Sequence, residues 1–168
     1  FLPRYAESPV FENVPFVPFD AEWRYQIGTV DLGAEFAARD FDDSQWEVGR
    51  GTFFREEADL LWAKNTELPI GEVTTYFRHQ FEISDLTSAY GIETLVDDAA
   101  VIYLNGQEVS RMNLPGGAVT NETVATESVS NAVISHPVKI SPELLEVGTN
   151  TLAVELHQNS PFSPDAVF

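Results

Sequence analysis

The sequence contains no cysteine and little positive charge. Without a thiol, this chain of 168 residues forms neither disulfides nor thiolate metal sites. Nine Lys and Arg residues stand against 27 Asp and Glu residues, which gives a formal net charge of -18. Such a field repels nucleic-acid phosphates and anionic membranes, and it favours cations or neutral partners such as glycans. We therefore expect no nucleic-acid partner.

Long apolar runs are also missing. No segment approaches the roughly 18 consecutive apolar residues of a membrane-spanning helix, so we expect no membrane span. No strand–helix repeat of about 30 residues occurs, which disfavours a parallel α/β sheet. The chain begins at Phe1, with neither methionine nor a signal peptide, which is typical of a processed or excised piece. We expect its parent protein to be extracellular.

The sequence motifs of common enzymes are absent. There is no GxSxG, no P-loop pattern and no HExxH. The three histidines, His79, His136 and His157, do not have the spacing of a zinc site. We therefore expect a non-catalytic protein.

What is present predicts one packed β domain. The apolar content of 43% and the aromatic content of 12% indicate a globule with a full core. Four prolines in residues 1–19 predict an extended lead-in, and residues 20–168 are predicted to form a single domain.

Short runs of alternating polar and apolar residues predict an all-β protein, an antiparallel β-sandwich with one short helix. Asn105-Gly106 predicts a tight hairpin, since both turn positions tolerate positive φ. SPELLE (141–146) predicts the helix, with Ser141 as its cap, Pro142 at its first position and Gly148 closing it. The predicted strands are WRYQIG (23–28), TTYFRHQFEI (74–83), IETLV (92–96), VIYLN (101–105), QEVSR (107–111), VISHPVKI (133–140) and TLAVELH (151–157).

Asp97 and Asp98 form the most conspicuous polar pair, at the start of a strand-like run. Glycosidase carboxylates face each other across a sugar, about 5–10 Å apart. Neighbouring strand residues point to opposite faces of a sheet, which argues against a catalytic pair. Two alternatives stay open: a strand-end role, with a carboxylate accepting loop N–H groups, or a share in a ligand or Ca²⁺ site.

Five phrases of the sequence resemble, in order, the galactose-binding-like β-sandwich, a jelly roll. They are AEWRY (21–25), FDDSQW (41–46), TTYFRHQFEI (74–83), VDDAAVIYLNGQEV (96–109) and SPELLEVGTNTLAVELHQNS (141–160). Variants of this domain form the sugar-binding domains of β-galactosidase-type and rhamnosidase-type glycosidases. A closer variant is an accessory domain of large secreted bacterial proteins. The resemblance covers roughly residues 20–168 and concerns the fold and the type of module.

The resemblance implies that strand 151–157 runs antiparallel beside strand 101–105. His157, Gln158 and Asn159 would then approach Asp97 and Asp98 at one rim of the sandwich, with Asp165 nearby. Carboxylates, amides and an imidazole suit the hydroxyl groups of a sugar. The same oxygens suit Ca²⁺, so Asp98 and Asp165 are candidate metal ligands for a structural calcium ion.

Two aromatic residues are candidate loop contributors to this rim, Trp62 and Tyr90. The Trp62 indole either stacks on a sugar ring or covers the open end of the sandwich. Loops 50–72 and 112–132 are long, and such loops on a rigid sandwich are common places for recognition.

The sequence thus predicts an extracellular accessory module that binds a glycan or another neutral polar ligand at one rim. The alternative is a structural spacer or assembly domain, which contacts neighbouring domains or subunits.

Overall fold

The fold is known from a computed structural model, which describes residues 15–55, 59–60 and 62–168. This part of the chain is nearly all β, with short strands joined by turns and two 3₁₀ helices, η1 (Gly33–Ala37) and η2 (Pro142–Leu144). The strands are β1 (Glu22–Ile27), β2 (Glu47–Arg50), β3 (Phe53–Arg55), β4 (Thr66–Glu67), β5 (Thr74–Ile83), β6 (Tyr90–Ile92), β7 (Leu95–Val96), β8 (Ala99–Leu104), β9 (Gln107–Met112), β10 (Val133–Ile134), β11 (Val138–Ile140), β12 (Gly148–His157) and β13 (Ala166–Val167).

One layer of the sandwich is a six-stranded antiparallel sheet in the order β2-β1-β5-β12-β8-β9. The longest strands, β5 and β12, are central, and ten consecutive residue pairs join them. β8 is buried along its whole length. A strand that is apolar on both faces needs cover on both sides, and this sheet is covered on both.

The facing layer consists of three small sheets, β10-β7, β11-β6 and β13-β3-β4. Two aromatic rings of this layer pack on Phe77 of the large sheet. The distance between ring centres is 4.8 Å for Phe53 of β3 and 4.6 Å for Phe168. Such aromatic contacts bury large apolar surfaces and join the two layers. The β-sandwich prediction is confirmed, although β4 pairs with β3 in parallel.

The outer face of the large sheet is covered by η1, which the sequence did not predict. Phe36 and Ala37 of η1 are fully buried against Tyr76, Tyr103 and neighbouring side chains. The buried Arg78 side chain on β5 also fastens η1, donating to the carbonyl oxygens of Phe36 and of Ala38. Its guanidinium also pairs with Asp43 at 2.8 Å, which balances the buried charge.

The helix predicted over 141–146 is wrong in type and length. The structure has one 3₁₀ turn, Pro142–Leu144, and Leu145 is already extended. Ser141 makes no side-chain capping bond, while Pro142 does occupy the first turn as expected. Gly148 begins β12 at a φ of 103° instead of closing the helix. Leu145 is buried in an apolar cluster in its extended conformation, so tertiary packing overrides the helix propensity of this segment.

Two predicted strands are each divided in two. Residues 92–96 contribute to β6 and β7, and residues 133–140 to β10 and β11, because the paired segments belong to different small sheets. Pro137 lies in the gap of the second run and has no N–H for a ladder. The hairpin prediction is confirmed, since Asn105 and Gly106 have φ values of 51° and 85°.

Residues 1–14 of the predicted lead-in lie outside the described residues. Of the remainder, Phe16 contacts the ring of Tyr90, and Val17 packs against the core between the layers. Neither 3₁₀ turn, nor any other helix in the described part of the chain, has the length and apolar content to cross a membrane.

Candidate functional site

The predicted rim residues do meet at one end of the sandwich. β12 runs antiparallel to β8, and His157 pairs with Ala99, directly after Asp97 and Asp98. The Gln158 side chain donates to the carbonyl oxygen of Asp97 at 2.7 Å. The expected strand pairing is therefore confirmed.

Asp98 is 2% exposed, and its carboxylate is occupied by the chain itself. One oxygen accepts the backbone N–H of Val129 at 2.6 Å, and the other accepts that of Asn159 at 2.9 Å. Of the two alternatives, this contact pattern is that of a carboxylate that fixes loops at a strand end. Asp97, His157 and Gln158 are buried to the same degree.

His157 is fully buried below the same loops. Its Nδ1 lies 2.9 Å from the Thr74 hydroxyl and 2.8 Å from the carbonyl oxygen of Thr123. Its Nε2 lies 3.4 Å from a carboxylate oxygen of Glu155. Ligand binding by Asp97, Asp98, His157, Gln158 and Asn159 stays a prediction, and the structure shows four of these five side chains buried.

The two aromatic candidates contact residues 16–19. The Trp62 ring is 5.4 Å from that of Phe19, and the Tyr90 ring is 5.8 Å from that of Phe16. The Tyr90 hydroxyl donates to the carbonyl oxygen of Asp85 at 2.6 Å. Both aromatics therefore pack on the first described segment, and a role in sugar stacking stays a prediction.

The surroundings of Asp98 and Asp165 do not fit a calcium ion. Asp165 accepts the Ser163 hydroxyl at 2.7 Å, and both Asp98 oxygens accept N–H groups. The Arg55 guanidinium interacts electrostatically with both carboxylates; burial lowers its pKa and the two carboxylates oppose that shift. In residues 15–55, 59–60 and 62–168, no three His, Asp or Glu side chains converge to hold a metal. Ca²⁺ takes about six to eight oxygens, and these two carboxylates are already engaged by N–H and O–H donors.

A second polar site, not predicted from the sequence, lies on the outer face of the large sheet. It is a cavity of about 570 Å³ beside η1, which is within the usual range for small-molecule sites. Its floor is buried, whereas much of its border is exposed, so the cavity is open to solvent. The residues that line it are Asp31, Gly33, Ala34, Tyr103, Gly106, Glu108, Arg111, Gly117, Ala118, Val119, Thr120 and Glu155.

The floor of the cavity is a hydroxyl–carboxylate pair. Tyr103 on β8 donates to Oε1 of Glu155 on β12 at 2.6 Å, and both residues are at most 5% exposed. They are diagonal neighbours across the β8–β12 pair, which brings long side chains into contact. Burial, the hydrogen bond to Glu155 and its negative charge together raise the pKa of Tyr103.

A β-bulge places Glu108 and Arg111 on the same side of β9. Residues three apart on a regular strand face opposite sides. The register shifts between Ile102 and Tyr103, so that Tyr103 pairs with Glu108 while Val101 pairs with Arg111. The extra residue turns both side chains toward the cavity.

Arg111 fixes the loop that forms the outer wall. Its guanidinium donates twice to the Glu108 carboxylate, at 2.8 and 2.7 Å. It also donates to the carbonyl oxygens of Pro115 and Gly117, at 2.8 and 2.9 Å. The long loop 112–132 thus contributes a wall of the cavity, Gly117–Thr120.

Sequence reasoning missed this site for a definable reason. The alternation of β12 puts Glu155 on the face of Ala153 and His157, so its face was predictable. The bulge in QEVSR leaves no comparable signal in composition or periodicity. Glu155, an acidic residue in the otherwise largely apolar strand β12, was the signal in the sequence that could have indicated the site.

No family model matches the sequence, and no curated protein matches it either. Among solved structures, the fold is similar to part of the β-glucuronidase of Bacteroides uniformis, with a TM-score of 0.53 and 21% sequence identity. That match covers 84% of this chain and 14% of the other. A glycosyl hydrolase family 2 member from Bacteroides cellulosilyticus is similar with a TM-score of 0.51 and 18% identity, over 84% of this chain and 17% of that one. The chain therefore has the fold of a domain found in family 2 glycosidases, and it spans less than a fifth of their length.

Proposed function

We propose that the chain is a non-catalytic accessory module that binds a glycan in the cavity beside η1. The observation that carries this proposal is the cavity itself: an open hollow of about 570 Å³ with the buried Tyr103–Glu155 pair as its floor and exposed polar side chains, such as Glu108 and Thr120, at its border. Sugar-binding sites need such placed donors and acceptors against an otherwise apolar surface. The fold's likeness to part of family 2 glycosidases supports a carbohydrate-related role.

The cavity is a better candidate than the predicted rim, because it is larger and part of its polar lining is exposed, namely Asp31, Glu108 and Thr120. At the rim, both carboxylate oxygens of Asp98 are already occupied by backbone N–H groups. Asp98 does border a second hollow, but its volume is about 250 Å³ against about 570 Å³, so the rim offers less room to a sugar. We place the module outside the cell as part of a larger carbohydrate-active protein, and its strong acidity agrees with a neutral ligand.

A glycan array on the intact chain, followed by calorimetry on the sugars that bind, tests the proposal. Ala118 is an exposed residue of the cavity wall, and Ala118→Trp fills the hollow. We expect about a tenfold or greater loss of affinity, because the indole takes the place of the sugar. Ala89→Trp is the matched control, an exposed loop alanine that does not line the cavity.

Two results would contradict this assignment. If the array finds no glycan, the binding function is wrong. If Ala118→Trp binds as well as the parent and a folded Asp98→Asn variant loses binding, the site is the rim. Aryl-glycoside hydrolysis by the chain would contradict its non-catalytic character.

A structural or assembly role is the second candidate. Phe162 and Ile70 are 74% and 58% exposed, on loops joined by the bond from Gly71 N–H to the Pro161 carbonyl oxygen at 2.9 Å. Exposed apolar side chains on neighbouring loops are typical of contact surfaces. Light scattering on the eluting chain should show an oligomer that Phe162→Ser abolishes; a strict monomer argues against this role.

A further inference from the structure

The charges around the cavity are strongly one-sided. Among the described residues that line it, Glu155 lies in its floor, Glu108 on its side and Asp31 at its border, against one cation, Arg111. The whole chain adds a net charge of -18 to this local excess. A bound group that carries a negative charge therefore meets a lining with three carboxylates and one guanidinium.

Arg111 is not available to offset them. Two of its donor directions point to Glu108 and two point to the carbonyl oxygens of Pro115 and Gly117. A guanidinium has five N–H donors, so one remains. Arginine holds a sugar carboxylate best when two of its N–H groups donate to the two carboxylate oxygens. In Arg111 the Nε and Nη2 groups, called here the Arg111 fork, already donate in this way to Glu108.

A neutral sugar suits the same groups. Its hydroxyls donate to carboxylates and accept from a hydroxyl or an amide without introducing charge. Glu108 and the Thr120 hydroxyl border the hollow and are exposed, so a sugar can reach their oxygens, whereas Glu155 beneath them is buried and already accepts the Tyr103 hydroxyl. Acceptors at separate places on the border match a ring that carries hydroxyls on several carbons.

We infer that the cavity selects neutral sugars and rejects their uronic-acid counterparts, with Glu108 acting as a specificity-determining residue because it occupies Arg111. This inference rests on the proposed glycan-binding function. It concerns the chemical class of the ligand, and it distinguishes this cavity from a site for glucuronides.

The test compares matched sugars that differ only at one carbon: methyl glucoside against methyl glucuronide, and methyl galactoside against methyl galacturonide. We expect the neutral member of the better-binding pair to have about tenfold or greater affinity at low salt. The ratio should shrink at high salt, because Asp31 and Glu108 are exposed and their charges are screened.

Glu108→Gln is the decisive variant. It keeps the length of the side chain, removes one negative charge and frees the Arg111 fork. The affinity for the uronide should therefore rise, and the ratio of neutral-sugar affinity to uronide affinity should fall severalfold. Glu122→Gln is the matched control: it removes the same charge from an exposed residue of loop 112–132 that does not line the cavity. Thermal unfolding of each variant confirms that it is folded.

The outcomes separate two failures. If neither member of any pair binds, the proposed function is wrong and the inference falls with it. If the sugars bind but the uronide equals the neutral sugar, the inference alone is wrong. The same conclusion follows if Glu122→Gln changes the ratio as much as Glu108→Gln, because the effect is then one of net charge and not of the Arg111 fork.

Discussion

Single buried polar side chains hold the loops of this sandwich in place. Asp98 joins segments that are far apart in sequence, since its two oxygens accept the N–H groups of Val129 and Asn159. A buried N–H that loses its acceptor keeps the full cost of its desolvation. The strand-end carboxylate is thus a structural device at one end of β8.

Asp98→Ala should lower the free energy of unfolding by about 2–4 kcal/mol, because two N–H groups lose their acceptors. Urea denaturation followed by tryptophan fluorescence measures the change. Asp42→Ala is the control, since the exposed Asp42 bonds locally to the N–H and the side chain of Ser44, and should cost less than about 1 kcal/mol. Equal losses in the two variants would show that the Asp98 bonds contribute nothing special.

Buried tyrosines should limit stability at alkaline pH. Burial, helped by the Glu47 carboxylate, raises the pKa of Tyr25 to about 12, and burial raises that of Tyr76 to about 12. The pKa of Tyr103 is raised as well. A raised pKa in the folded state stabilises the protein below the unfolded pKa of about 10, and this stability is lost as the pH climbs through the folded value.

The free energy of unfolding should therefore fall steadily above pH 10, roughly the tyrosine value in the unfolded chain. Tyr103→Phe should be less stable at pH 7, since the bond to Glu155 is lost, yet fall less steeply above that pH. Denaturation series from pH 7 to about pH 11 give both slopes. An unchanged slope in the variant would contradict the contribution of Tyr103.

At the scale of elements, the β8–β9 turn fastens three segments to one another. The amide of Asn105 donates to the Leu144 carbonyl oxygen and to Asn150, both at 2.8 Å. Its oxygen accepts the N–H of Thr151 at 2.8 Å and Nε of Arg39 at 3.1 Å. The turn residue thus also anchors η2, the start of β12 and the segment after η1.

Asn105→Gly isolates these side-chain bonds, because glycine adopts the positive φ of this position without strain. We expect a loss of about 2–4 kcal/mol from the orphaned partners, and a larger loss in Asn105→Ala, which adds backbone strain. Chemical denaturation ranks the two variants. A glycine variant as stable as the parent would show that only the backbone conformation matters there.

At the scale of the whole molecule, the net charge of -18 dominates. Mutual repulsion of like charges destabilises the compact state, and salt screens it. The midpoint of thermal unfolding should therefore rise between low and moderate sodium chloride. Calorimetric scans at several salt concentrations measure it, and a midpoint that falls with salt would indicate that the exposed ion pairs, such as Arg39–Glu146 at 2.7 Å, outweigh the repulsion.

Strand alternation accounts for how much of this fold was predictable. TTYFRHQFEI became β5 without a residue of error, and its alternation puts Phe77 in the core between the layers and Tyr76 on the opposite face. The η1 turn escaped prediction because GAEFA has no helical periodicity; its position depends on the contact with Arg78. Rim residues were predicted to meet, and they do, but their burial depends on how loops 112–132 and 157–163 close over them.

The sequence by itself determined the class and core of this protein. Alternating apolar residues without cysteine or long helical runs lead to a sandwich, and 27 acidic residues set its charge. Only the tertiary structure decided which polar groups face solvent. The bulge in β9 turned Glu108 and Arg111 to one side, where Glu108 stays exposed, and loop closure hid Asp98. The direction of a side chain depends on the alternation along its strand and on how that strand pairs with its neighbour. The sequence shows the alternation, but the pairing is set by contacts between strands that are distant in sequence.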